Sequence, residues 1–352
     1  MKRILFFLVL LTGFFTLSSQ EFIWKADVNS FFDNMEFSKS NVQNSQTMAG
    51  VHVSPEVGVS WKKDHRLLVG VDVMHEFGSK DIIDYYDLIA YYEYDGKPFR
   101  FYMGAFPRKM VLDRYPRMFF QDSINNYRPT INGLFWELRS EKNYLNVWLD
   151  WTSRQTEERH EAFFMGWSGK YNLGIFYGQH FGYMFHFAGR MNVQEPVYDN
   201  GLTLTSLGVD LSHRWGFEKL EANVGWSVGL DRNRKLGGWH IAHGLLSEVK
   251  VEYKGLGLFN TYYRGNSQQY FYDVYSNELY WGDKIYRSKE YNRTDLYIQF
   301  FKTKVVNVKL MYSLHFTEQR LYNEQSLHAS FNMDNFRKKD DKPYIYIWSN
   351  WF

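Results

Sequence analysis

Apolar and polar side chains alternate with period two along nearly the whole chain. Trp24, Ala26 and Val28 interleave with Lys25, Asp27 and Asn29; Val51, Val53, Val57, Val59 and Trp61 interleave with His52, Ser54, Glu56 and Ser60. The pattern returns at Leu67 to Val73, Leu145 to Trp151, Leu220 to Val228 and Val249 to Tyr253, and is cleanest from Val306 to Phe316. Neighbouring side chains of an extended strand point to opposite faces, so each segment is a strand with one apolar and one wet face. The connections alternate too. Short polar turns occur at Lys62 to Asp64, Asp95 to Lys97, Ser140 to Asn143, Lys170 to Asn172, Lys254 to Gly255 and Lys302 to Lys304, with longer loops between them. Short turns on one side and long loops on the other are the signature of a membrane β-barrel. The expected fold is therefore all-β, a transmembrane antiparallel β-barrel of about 16 strands (range roughly 14 to 18) with one inward-folded loop. The last strand is expected at Tyr344 to Phe352, with Leu327 to Met333 as a hairpin inside a final loop from Thr317 to Lys342.

The start of the chain is different. Met1, Lys2 and Arg3 precede an apolar run from Ile4 to Leu17, and Leu17, Ser18 and Ser19 offer small residues for cleavage before Gln20. Residues 1–19 are expected to be a cleaved signal peptide and 20–352 a single barrel domain of the cell outer membrane. No later stretch is long and apolar enough for a spanning helix, so a membrane reading requires a closed sheet. Composition agrees. The chain of 352 residues has no cysteine, 20% aromatic residues and a net charge of +2, which suits aromatic girdles and gives no reason to expect nucleic acid.

Between two alternating segments lies Pro107 to Thr130, PRKMVLDRYPRMFFQDSINNYRPT. It is too long for a hairpin turn, and its aromatics argue against disorder. Arg108, Lys109, Arg114, Arg117 and Arg128 stand in it against only Asp113 and Asp122. With Arg100 on the preceding strand, these are the expected constriction residues of a pore loop. The wet faces carry an acidic wall, chiefly Glu56, Asp72, Asp150, Glu221 and Asp231. Folding the loop inward sets a basic ladder opposite that wall, across water. The final YIYIWSNWF places Tyr346, Trp348 and Phe352 on one face, and is expected to be an insertion signal read by the outer-membrane assembly machinery.

Gly104 to Pro107, the long loop, Tyr127 to Pro129 and Gly133 together resemble the strand, inward loop and strand of gram-negative porins, including the porin O/P-like group. The resemblance implies passive diffusion of small hydrophilic solutes or ions through a water-filled pore in the lipid bilayer. A homotrimer is compatible with it. Enzyme motifs such as GxSxG, HExxH and the P-loop are absent from the sequence. His240 and His243 fall on opposite faces of a strand. His180 and His186 share a face but stand roughly 20 Å apart, too far to share an ion; with Tyr183 they are expected in the lumen or the girdle. No metal, cofactor or catalytic residue is expected, and the protein is not expected to be an enzyme. A plugged barrel acting as a surface binding or assembly component ranks second, and a barrel enzyme third.

Overall fold

The structure, a computed structural model, describes residues 20–336 and the main chain of 344 and 345. Strands follow one another as β1 (Gln20–Glu36), β2 (Gln46–Trp61), β3 (His65–Glu76), β4 (Tyr85–Asp95), β5 (Phe99–Pro107) and β6 (Thr130–Arg139). Next come β7 (Tyr144–Ser153), β8 (Ala162–Leu173), β9 (Phe176–Phe187), β10 (Tyr198–Asp210) and β11 (Lys219–Asn233). The series ends with β12 (His240–Tyr253), β13 (Leu256–Gly265), β14 (Glu290–Lys302), β15 (Val306–Thr317) and β16 (Leu321–Asp334). Each pairs antiparallel with its chain neighbours, and β16 returns to β1, with Lys25 opposite Asp334 and Glu36 opposite Asn323. The wall is a closed barrel. Closure matters because lipid offers no hydrogen bonds to a free strand edge.

Period two decides which side of the wall each residue takes. Val53, Val57, Leu67, Val69, Met103, Leu145, Val147, Val224, Trp226 and Leu310 are exposed on the outer face. Their neighbours Glu56, Leu68, Asn146, Trp148 and Ser227 are buried inside. An exposed apolar band around a closed barrel identifies lipid as its solvent. No described helix is long and apolar enough to cross a membrane.

The expected end of the barrel is corrected. Leu321–Asp334 is not a loop with a hairpin but the sixteenth strand, joined to β15 by a three-residue connection and closing the wall on β1. Its outer face begins with Leu321, Asn323 and Gln325 near the rim before reaching Leu327, Phe331 and Met333. Polar residues on both faces hid the alternation there. Tyr344 and Ile345 form a two-residue strand, β17, against Phe301 and Lys302 at the end of β14. Tyr346, Trp348 and Phe352 lie outside the described residues, as do residues 1–19.

The facing is directly testable. Leu310→Arg puts a charge on the lipid side and should cost ~2–4 kcal/mol near the midplane. Asn307→Arg, whose side chain faces the lumen, should be tolerated. The fraction of heat-modifiable folded barrel on a gel reads both, and equal yields would contradict the assignment.

Candidate functional site

Strand β5 stops at Pro107 and β6 resumes at Thr130, the limits expected for the inward loop. The loop has structure of its own: short helices α1 (Lys109–Leu112) and α2 (Ile124–Tyr127). It enters the lumen and buries Val111, Leu112, Tyr115, Met118, Phe119 and Phe120. Tyr115 packs on Phe181 with ring centres 5.2 Å apart, and Phe120 packs on Phe164 at 5.6 Å. Trp148 donates its indole N–H to the Tyr115 oxygen at 2.8 Å. Gly166 makes room for that indole, since a Cβ there would lie 2.1 Å from its ring.

A second loop, residues 266–289, descends onto the first. It carries α3 (Tyr272–Leu279) and a 3-10 turn at Lys284–Arg287. The Gln121 N–H donates to the Trp281 carbonyl and the Asp283 N–H to the Arg117 carbonyl, both at 2.9 Å. Gly282 permits this approach, because a Cβ there would sit 2.0 Å from the Met118 carbonyl oxygen. Tyr280, Trp281 and Ile285 are buried against the first loop and the wall. The two loops form a solid aromatic core inside the barrel.

Arg108, Arg114 and Arg117 of the loop meet carboxylates of the wall in direct contact, not across water. Arg108 is 2% exposed and pairs with Asp150 at 2.6 Å, while its Nε and Nη2 donate to the Arg128 and Thr130 carbonyls, both at 2.5 Å. Arg114 holds Glu137 at 2.5 Å, and Arg117 holds Asp122 at 2.7 Å and Asp295 at 2.9 Å. Arg128 lies 5.3 Å from the centre of the Trp281 ring. Arg100 reaches Asp95 at 3.3 Å, and Lys109 lines the remaining cavity. Burial pushes the Asp113 carboxyl in the loop up to about 6, against the pull of Lys109 and Arg114.

The rest of the expected wall is similarly engaged. Glu56 accepts from Lys25 at 2.6 Å and from the Tyr91 hydroxyl at 3.1 Å, and Glu221 pairs with Lys170 at 2.9 Å. Asp231 accepts from Tyr280 at 2.6 Å and Asn200 at 2.9 Å. Arg293, which the charge pattern did not single out, is buried between Asp295 at 2.6 Å and Glu324 at 3.2 Å.

Two His–Asp pairs stand out from this network. The first is in the lumen. A cavity of about 840 Å³ lies between the inward loop and the short-turn end, bounded by residues such as Lys25, His52, Asp72, Lys309 and Asp334. His52 Nδ1 is 2.7 Å from Asp72 Oδ1, Ser54 donates to the other Asp72 oxygen, and His52 Nε2 is buried without a partner among the described residues. Phe31, Met48 and Met74, with Tyr85 and Tyr127 against them, form an apolar cluster beside the ring.

The second pair is on the outer wall. Trp151, Phe163, His186, Asp199 and Arg232 occupy one continuous row across β7 to β11, each in register with the next. The Trp151 and Phe163 rings stack at 5.0 Å, and Phe163 meets the His186 ring at 5.0 Å. His186 Nδ1 is 3.1 Å from Asp199 Oδ1, and Arg234 donates to both Asp199 oxygens at 2.7 and 2.8 Å. Beyond Arg232 stands Trp239, its ring centre 5.5 Å from the guanidinium carbon. The row sits one or two residues from the strand ends on the long-loop side, with aromatics at both flanks. That is the height of an interfacial aromatic belt. A carboxylate on Nδ1 fixes the tautomer that leaves Nε2 with its lone pair.

Neither pair draws on a contiguous motif, so comparison with known proteins carries weight here. The model of the lipid A 3'-O-deacylase-type family matches residues 16–339. The chain belongs to this family. Its members are named as deacylases, which overturns the expectation that the protein is not an enzyme; motif searches failed because a barrel assembles chemistry across strands far apart in sequence. The search of curated proteins returns no significant match.

Among solved structures, the chain is similar to OccK9 (OpdG) of Pseudomonas aeruginosa, with 11% identity over 90% of this chain and 99% of that one and a TM-score of 0.55. It is also similar to a loop-deletion mutant of OmpT of Vibrio cholerae, with 8% identity over 90% and 100% and a TM-score of 0.54. OccK2 (OpdF) of Pseudomonas aeruginosa gives 9% identity over 90% and 99%, with a TM-score of 0.52. These likenesses establish an outer-membrane barrel fold similar to that of porins, whereas the family that matches the sequence is not the porin O/P-like group.

Sequence reasoning missed both pairs. His52 and Asp72 were legible: the turn at residues 62–64 pairs Trp61 with His65, and counting back sets Ser54 against Asp72. Asp199 and Arg232 were read as loop, because the ends of β10 and β11 carry polar residues on both faces and the alternation fades there. His180 and His186 point outward and Tyr183 inward, so the three do not share a face.

Arg108 tests the plug. Arg108→Met leaves Asp150 buried and unpaired, which should cost about 3–5 kcal/mol. Adding Asp150→Leu should recover much of that loss. Urea unfolding of the detergent-solubilised barrel measures it, and a single variant as stable as wild type would mean the pair does not anchor the loop.

Proposed function

We propose that the protein is an outer-membrane ester hydrolase that removes an acyl chain from lipid A or a closely similar glycolipid, working from the outer face of its barrel. The observation that carries this reading is the His186–Asp199 pair at belt height on the long-loop side, in a chain of a deacylase-type family. An ester of an outer-leaflet lipid lies at the border of headgroup and hydrocarbon, and the lumen is walled off from it. A base facing outward at that level reaches the bond without extracting the lipid.

His186 Nε2 accepts a proton from water as the water oxygen attacks the acyl carbonyl carbon. Asp199 holds the resulting imidazolium through Nδ1. Arg234 donates to both Asp199 oxygens and so fixes the carboxylate against Nδ1. Collapse breaks the ester C–O bond, and the sugar oxygen takes the proton back from Nε2. The products are a free fatty acid and a hydroxyl on the glycolipid.

His186→Asn should lower kcat for fatty-acid release from lipid A in mixed micelles by about 10²–10⁴-fold, with the barrel still heat-modifiable. Mass spectrometry of the lipid reads the lost chain. If His52→Asn abolishes release and His186→Asn does not, the chemistry belongs to the lumenal pair, whose free Nε2 favours that second reading. Planar-bilayer recording addresses passive diffusion. A silent barrel is expected, whereas steady conductance enlarged by replacing Arg114 and Arg117 with Ser would restore the channel reading.

A further inference from the structure

The outward row continues past the His186–Asp199 pair to a charge that the barrel leaves unanswered. Asp199 faces Arg232 directly across β10 and β11, yet its oxygens are taken by Arg234 and His186. Among the described residues Arg232 has no ion pair, and its Nε is shielded from solvent without a hydrogen-bond partner. The neighbouring rim cation is different. Arg190 is bound to Glu195 at 2.5 Å, and its hydrogen bonds hold that carboxyl at about 2.

A guanidinium near an indole, partly withdrawn from water and lacking a carboxylate, is a socket for a planar or tetrahedral anion. Arginine binds phosphate in a forked, charge-assisted geometry. What reaches this socket is decided by its place: the outer wall of a membrane-spanning barrel, in a row flanked by Trp151, Phe163 and Trp239, at the level where lipid phosphates lie. We propose that Arg232, with Arg234 beside it, binds the phosphate of a phosphorylated outer-leaflet lipid, and so sets the depth at which the lipid's acyl ester meets His186. The binding stands without any hydrolysis; only the positioning of the ester rests on the hydrolase reading.

The test is native mass spectrometry of the whole barrel in detergent, titrated with bis-phosphorylated lipid A and with the same lipid after phosphatase treatment. Wild type should bind the phosphorylated form about tenfold tighter, a difference of about 1.4 kcal/mol. Arg232→Gln should erase that preference, and millimolar inorganic phosphate should not displace the lipid. Equal affinity of wild type for both lipids overturns the proposal without recourse to any variant. So does a preference that survives in a folded Arg232→Gln barrel, while displacement by inorganic phosphate overturns the lipid as its source. The two readings separate cleanly. His186→Asn that keeps phosphate-dependent binding but loses hydrolysis leaves both standing, and His186→Asn that keeps hydrolysis removes the catalytic assignment without touching the phosphate site.

Discussion

Contact between the guanidinium groups of the inward loop and the carboxylates of the wall is the constraint on which the rest depends. Arg108 with Asp150, Arg114 with Glu137, and Arg117 with Asp122 and Asp295 are ion pairs formed inside the barrel. A buried charge left without its partner is costly, whereas a fully satisfied pair is tolerated and fixes geometry. These pairs therefore hold the loop in one place, and the aromatic side chains between them pack against β7, β8 and β9. The second loop then has a surface to settle on, through Trp281 and Gly282.

A lumen filled this way has consequences for function. Part of the interior is a packed core, and the space left toward the short-turn end is a polar cavity enclosed by acids and bases. Nothing in that arrangement meets lipid. The surface that does is the outer wall, where apolar side chains dominate and polar ones are expensive. A histidine, a carboxylate and Arg232 stand there in one row, with Arg234 beside them, and contrast with that band.

The porin-like fold and the deacylase-type family are reconciled by the same facts. Fold similarity reflects a closed antiparallel barrel, which many unrelated activities can share. The activity depends on a few side chains carried by that scaffold.

Period-two alternation by itself determined the closed sheet, the facing of its strands and the limits of the inward loop, because burial in lipid acts on every second residue independently of distant partners. It also supplied the charges, Arg108 and Asp150 among them, that would have to meet. Only the tertiary structure decided that they touch and do not face each other across water, since that depends on how deeply the loop descends and on which aromatics receive it. The identity of the last strand was likewise a matter of which segment completes the ladder on β1, a long-range pairing that the blurred pattern of Leu321–Asp334 did not reveal. The outward row is the clearest case. His186, Asp199 and Arg232 lie on three strands, and cross-strand register, not sequence spacing, makes them neighbours.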